Sequence, residues 1–207
     1  MSLARLLRFP QRPAAPGAAS LRTTDATTPV RITQGSKGPK VDRARTLDVI
    51  ERCYGLPVAP AAVRIRRAVL LHRSGRKADA WAMFDLLLAD HELGGSATLR
   101  PILHSEIYAR MGTCLEREGC FHAALTPTVL SYATRAQFFS IQERRSELKY
   151  LRSPGVFDRF ISPLLARARL EHVLVSVRGI LRHHLERLPQ LNVDELRGSV
   201  DYICRNG

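Results

Sequence analysis

The stretch from Ile107 to Ala124, IYARMGTCLEREGCFHAA, constrains the fold more than any other part of the chain. Tyr108, Met111 and Leu115 recur at helical spacing, Gly119 interrupts them, and Phe121 and Ala124 resume the pattern. The spacing predicts a helix, a tight turn and a second helix running back. Gly119 can take the positive φ that such a reversal needs. Gly112 and Ala124 are small enough for two helix backbones to approach, while Tyr108, Leu115 and Phe121 fill the space between them. A hairpin of this kind leaves apolar surface that only further elements can cover.

The flanking sequence supplies them. Leu47, Ile50 and Cys53 predict a short helix stopped by Gly55 and Pro57. A helix from Pro60 to Gly75 and another over Ala78–Ala89 follow, with Pro60 suited to a first turn. His91 to Arg100, with Gly94 and Gly95, reads as a loop, and Pro101 opens the helix that ends at Gly119. A helix from Phe121 to about Ala136 comes next, with Pro127 in or near its first turns. Phe138, Phe139, Ile141 and Leu148 predict another, ending by Ser153-Pro154-Gly155. Ser162 and Pro163 read as an N-cap and first-turn proline of a long helix reaching about Leu188. Asn192 with Glu195 forms a capping box for a last helix with Leu196, Val200 and Ile203 inward. No strand alternation is evident. The expected class is all-α: antiparallel hairpins stacked into a compact solenoid-like array of about seven or eight helices.

Aligning Gly75 with Gly119 exposes an internal repeat. Ala68, Leu71, Gly75, Ala80, Phe84 and Leu87 in the first copy match Gly112, Leu115, Gly119, Ala124 and their neighbours in the second. The pattern resembles the tetratricopeptide repeat, although Lys77 and Arg67 stand where that family has apolar residues. The copies lie 44 positions apart, against a family period of about 34; the Gly94-Gly95 loop absorbs the excess. Gly75, Arg76, Ala80 and Phe84 also fit a pentatricopeptide repeat, whose RNA code requires many consecutive copies. The resemblance covers roughly residues 61 to 137 and implies helix packing through Ala68, Gly75, Ala80, Phe84, Tyr108, Gly112, Leu115, Gly119, Phe121 and Ala124.

Residues 1–24 read as a mitochondrial targeting segment: Arg5, Arg8 and Arg12 are interleaved with Leu3, Leu6 and Leu7, and no acid occurs before Asp25. Residues 25–42 read as a basic linker or extended arm, and 43–207 as the helical-repeat domain. The apolar runs are too short and too charged to span a bilayer; Ile161 to Leu181 alone carries Arg167, Arg169, Glu171, His172 and Arg178. No C-x-x-C pair occurs among Cys53, Cys114, Cys120 and Cys204; Cys114 and Cys120, which flank Gly119 and could approach each other, are expected to be buried, reduced thiols in helix packing. His104, His122, His172, His183 and His184 lack partners at metal-ligand spacing. No phosphate-binding glycine loop or nucleophile elbow is present. The expectation is a non-enzymatic protein with no cofactor, metal or small-molecule substrate.

The net charge of +13 points to a polyanionic partner. Candidate RNA contacts are Arg31, Lys37, Lys40, Arg43 and Arg45 on the arm, and Arg64, Arg66, Arg67, Arg73, Arg76 and Lys77, a run uninterrupted by acid from Pro57 to Arg76. Arg144, Arg145 and Lys149, and Arg167, Arg169 and Arg178, form lesser clusters. In composition the chain resembles lineage-specific mitochondrial ribosomal proteins of protists such as kinetoplastids. That resemblance implies a matrix protein of the mitochondrial ribosome touching rRNA and neighbouring proteins. The rival expectations are an accessory scaffold subunit of a respiratory or ATP synthase complex, and a mitochondrial RNA-processing or editing factor.

Overall fold

The computed structural model describes residues 59–93 and 96–206. The expected targeting segment, the arm, the helix at Leu47, Ile50 and Cys53, the glycines at 94 and 95, and Arg31, Lys37, Lys40, Arg43 and Arg45 lie outside the described residues. Those residues form an all-α structure of eight helices packed as adjacent antiparallel pairs: α1 (Ala59–Arg73), α2 (Lys77–Ala89), α3 (Arg100–Arg117), α4 (Phe121–Ile141), α5 (Arg145–Leu151), α6 (Pro154–Ala168), α7 (Leu174–Glu186) and α8 (Val193–Asn206). A 3-10 turn at Glu171–Val173 leads into α7.

The first hairpin follows from its side-chain spacing. On α1, Ala61, Ala62, Ile65 and Ala68 turn inward; on α2, Ala80, Phe84 and Leu87 do so. Both sets recur every three or four residues, the helical signature of one buried stripe. The second hairpin is deeper. From Ala124 to Phe139 nearly every residue of α4 is buried, and α4 touches α3, α5, α6, α7 and α8. A helix that is apolar all round can only be stable inside a core, and the other helices cover it. Fully buried side chains such as Tyr132, Phe138 and Leu130 each contribute about 1.5–3 kcal/mol by leaving water. Where α3 crosses α4, a Cβ on Gly112 would stand 2.8 Å from the Thr128 hydroxyl, so glycine is what permits this approach.

Four chain reversals share one backbone solution. Gly75 (φ 84°), Gly119 (φ 78°), Glu143 (φ 53°) and Arg169 (φ 58°) all take the left-handed conformation. In each, the next residue's N–H donates back to the carbonyl five positions earlier: Arg76 to Leu71 at 3.0 Å, and Cys120 to Leu115, Arg144 to Phe139 and Leu170 to Leu165 at 2.9 Å. This is the bonding that satisfies the last carbonyls of a helix. After the first three, the chain re-enters a helix at once, with Arg76, Cys120 and Arg144 near φ −80° and at ψ 61°, 60° and 76°. After Arg169 the 3-10 turn intervenes.

The second half corrects the sequence reading at three places. Phe138, Phe139 and Ile141 belong to α4, which runs past Ala136 to the Glu143 turn. The helix containing Leu148 ends before Ser153-Pro154-Gly155 as expected, at Leu151, but the same residues also begin the next one: Ser153 is extended and Pro154 occupies the first turn of α6, where a missing N–H costs nothing. Pro163 consequently lies inside α6, and the expected long helix is broken at Arg169. The start of α8 matches expectation, with the Glu195 N–H donating to Asn192 Oδ1 at 3.1 Å and Leu196 and Val200 buried. Of the thiols, Cys114 is buried and Cys204 partly so, but Cys120 is exposed, because it occupies the cap position outside the first turn of α4.

Candidate polyanion-binding surface

The turns at Gly75 and Gly119 lie side by side, and Glu118 fastens them. Its Oε1 is 2.6 Å from His72 Nε2 at the end of α1 and 3.1 Å from Lys77 Nζ at the start of α2. The Lys77 ammonium, and after it His72, hold the Glu118 carboxyl below its ordinary range against the opposing effect of burial. His72 is itself buried and meets Trp81 edge-on with ring centres 6.0 Å apart. Two residues earlier, Glu116 accepts from Arg167 of α6 at 2.9 Å, and that guanidinium lies 5.8 Å from the Phe121 ring centre. The acids of the α3–α4 turn therefore tie three hairpin ends into one surface.

This arrangement divides the predicted basic run. Arg64 donates to Asp90 at 2.5 Å, and its guanidinium, followed by the Glu92 N–H, holds the Asp90 carboxyl below the ordinary carboxylate range. Arg76 donates to Asp79 at 2.7 Å, and Lys77 is committed to Glu118. Arg67 and Arg73 are exposed and make no ion pair among the described residues. Arg66 is exposed beside them. The fold adds one cation the sequence reading omitted. Arg117, at the end of α3, is exposed and unpaired among the described residues. Arg73 and Arg117 both act on the Cys114 thiol, drawing its pKa down while burial, the larger effect, pushes it up. Arg73 and Arg117, 44 positions apart in sequence, are each the chain neighbour of one partner in the His72–Glu118 contact that joins the ends of α1 and α3.

The lesser clusters divide in the same way. Arg178 clamps Asp158 with both arms at 2.9 and 2.6 Å, and Arg167 is held by Glu116. Arg145, Lys149 and Arg169 are exposed. The positions named for repeat packing are inside or in the turns: Ala68, Ala80, Phe84, Tyr108, Gly112 and Ala124 are buried, Leu115 and Phe121 half-buried, and Gly75 and Gly119 form the reversals.

The other polar features are structural in character. Burial pushes the His104 imidazole down to about 4, with the Arg100 and His91 charges adding to it, so the ring is neutral at physiological pH. His183 and His184 stack edge to face at 5.6 Å, and only His184 is buried. Among the described residues no group of three His, Cys, Asp or Glu side chains is placed to hold a metal, and no helix is long and apolar enough to cross a membrane. An open groove of about 410 Å³ runs between α7 and α8, lined by Ile180, Gly198, Tyr202 and their neighbours.

These features define an all-helical protein with a partly neutralised basic surface at its hairpin ends. The chain matches no family model, no curated protein and no solved structure.

Proposed function

We propose that this chain is a non-enzymatic structural component of a mitochondrial ribonucleoprotein, specifically the mitochondrial ribosome, built on tetratricopeptide-like hairpins. One observation carries the proposal: among the described residues Arg67, Arg73 and Arg117 have no counter-charge, on a chain whose net charge is +13. Cations held by Asp90, Asp79 and Glu118 are already neutralised, whereas exposed guanidinium groups with no such partner can exchange water for phosphate oxygens. Each phosphate so neutralised releases condensed counterions, which drives binding without a base-specific pocket. The acid-free, Arg-rich first residues favour the mitochondrial matrix.

Sedimentation of tagged full-length protein on a gradient of mitochondrial lysate tests the assignment. Co-migration with a ribosomal subunit, abolished by ribonuclease, is the expected result. Migration with a respiratory or ATP synthase complex that survives ribonuclease would replace it with the scaffold reading. A shallow, RNA-dependent profile away from both subunits would indicate a transient processing or editing factor.

A further inference from the structure

We propose that the outer face of α1 is a docking surface for an acidic amphipathic helix of another protein. The helix buries Ala61, Ile65, Ala68 and His72, which sets its inward direction. At about 100° per residue, Val63 and Leu70 then lie within roughly 20° of each other on the opposite side, separated by two turns or about 10 Å. They are 63 % and 61 % exposed. The two positions that point most directly at solvent are thus aliphatic, while Arg67 stands between them and Arg73 follows on the flank. An isolated exposed aliphatic residue is ordinary. Two in register along one ridge, bordered by cations without counter-charges among the described residues, match the seam by which one helix receives another.

The chemistry of this ridge selects its occupant. No acid occurs on α1, so a second copy of this face would set arginine against arginine. A membrane would require a broad apolar face, but the other large apolar side chains of α1 are committed to the core or only half exposed. Nucleic acid would use Arg67 and Arg73 but would gain little from Val63 and Leu70, because base stacking draws on aromatic rings and the ridge has none. A helix with leucines at i and i+7 and carboxylates beside them would use all four residues. The proposal does not depend on the ribonucleoprotein reading: the arginines serve either partner, and the aliphatic pair serves only this one.

The experiment uses the full-length chain and a fluorescent 18-residue probe peptide with a leucine seam at helical spacing and glutamates elsewhere. A lysine-for-glutamate version, anionic phosphatidylserine vesicles and a polyuridine oligonucleotide are the comparison probes. The expected result is saturable binding of the acidic peptide, weakened at least tenfold both by Val63→Ser with Leu70→Ser and by Arg67→Glu with Arg73→Glu, and no binding of the lysine version. Polyuridine binding, where present, is expected to be insensitive to the serine pair. All four substituted side chains are exposed, so the variants should retain the wild-type helical signal. Absence of peptide binding, or equal binding by the serine pair, overturns the proposal. So does a serine-pair effect confined to vesicles or polyuridine, since it assigns the ridge to those partners instead.

Discussion

The two hairpins that carry the glycine turns differ most where they are most nearly equivalent. Gly75 and Gly119 bend the chain identically, down to the hydrogen bond that closes each reversal. Seven residues before each turn, however, the first hairpin has Ala68 and the second has Gly112. Ala68 is fully buried with its methyl group accommodated. At Gly112 a Cβ would stand 2.8 Å from the Thr128 hydroxyl. The turn chemistry is shared, but the helix separation is set locally. The pair with no room for a methyl group at its crossing, α3 and α4, is the one around which the other helices gather, and the first hairpin carries the outer face proposed above for docking.

The largest test of this contrast is at the crossing. Gly112→Val should cost about 3 kcal/mol, because overpacking drives the new side chain into Thr128. Combining it with Thr128→Ala should recover part of the loss in urea denaturation. Ala68→Gly should cost only about 1 kcal/mol, the ordinary penalty of glycine in a helix. Absence of any recovery with Thr128→Ala would show that the Thr128 hydroxyl does not set the approach of α3 to α4.

The turns give the next effect. Gly75→Ala and Gly119→Ala should each destabilise by about 1–2 kcal/mol, since an L side chain pays for the left-handed conformation. A Cβ at either site meets no atom within 4 Å, so conformational cost is the only term and the two values should agree. A clear difference would break the equivalence of the turns. Glu143→Gly and Arg169→Gly should act with the opposite sign. They relieve the same backbone cost and so raise the denaturation midpoint by a margin of about 1 kcal/mol, less the added freedom of the unfolded chain.

The smallest effect concerns the clamp. The Glu118 carboxyl is depressed below its ordinary value of 4.5. The stability it supplies is therefore full above that value and is lost as pH falls toward the lower folded one. Glu118→Gln should cost about 1 kcal/mol at neutral pH, as for a hydrogen-bonded carboxylate whose main cation, Lys77, is exposed, and should flatten the stability profile below pH 4.5. An unchanged acid limb would show that Glu118 does not hold the turns together.

The legibility of the chain follows the same division. Gly75 and Gly119 announce their turns because glycine is the residue that reverses a helix without strain. The Glu143 and Arg169 turns adopt the same bonding with no residue to mark it, so the sequence reading joined the last turn of α4 to α5 and the second half of α6 to α7. Ser153-Pro154 showed only half of its role: it closes α5 as read and also opens α6, and a proline that follows one helix and one that begins the next look alike until their neighbours' dihedrals are known. The candidate site was legible as composition but not as electrostatics. The run from Pro57 to Arg76 contains no acid in sequence, yet the fold delivers Asp90, 26 positions after Arg64, and Glu118 from the next hairpin. It also joins the helix ends that carry Arg73 and Arg117 through the His72–Glu118 contact, which no local reading could reveal.

The most direct test of the central claim is the salt dependence of RNA binding by two triple variants of the full-length protein. Neutralising Arg67, Arg73 and Arg117 to glutamine should lower the slope of log affinity against log salt on single-stranded RNA by about 2, at about 0.7 per phosphate contact. The same change at Arg64, Arg76 and Lys77, whose charges are answered by Asp90, Asp79 and Glu118, should lower it far less. Equal slopes for the two variants, or a larger loss from the second, would contradict the account.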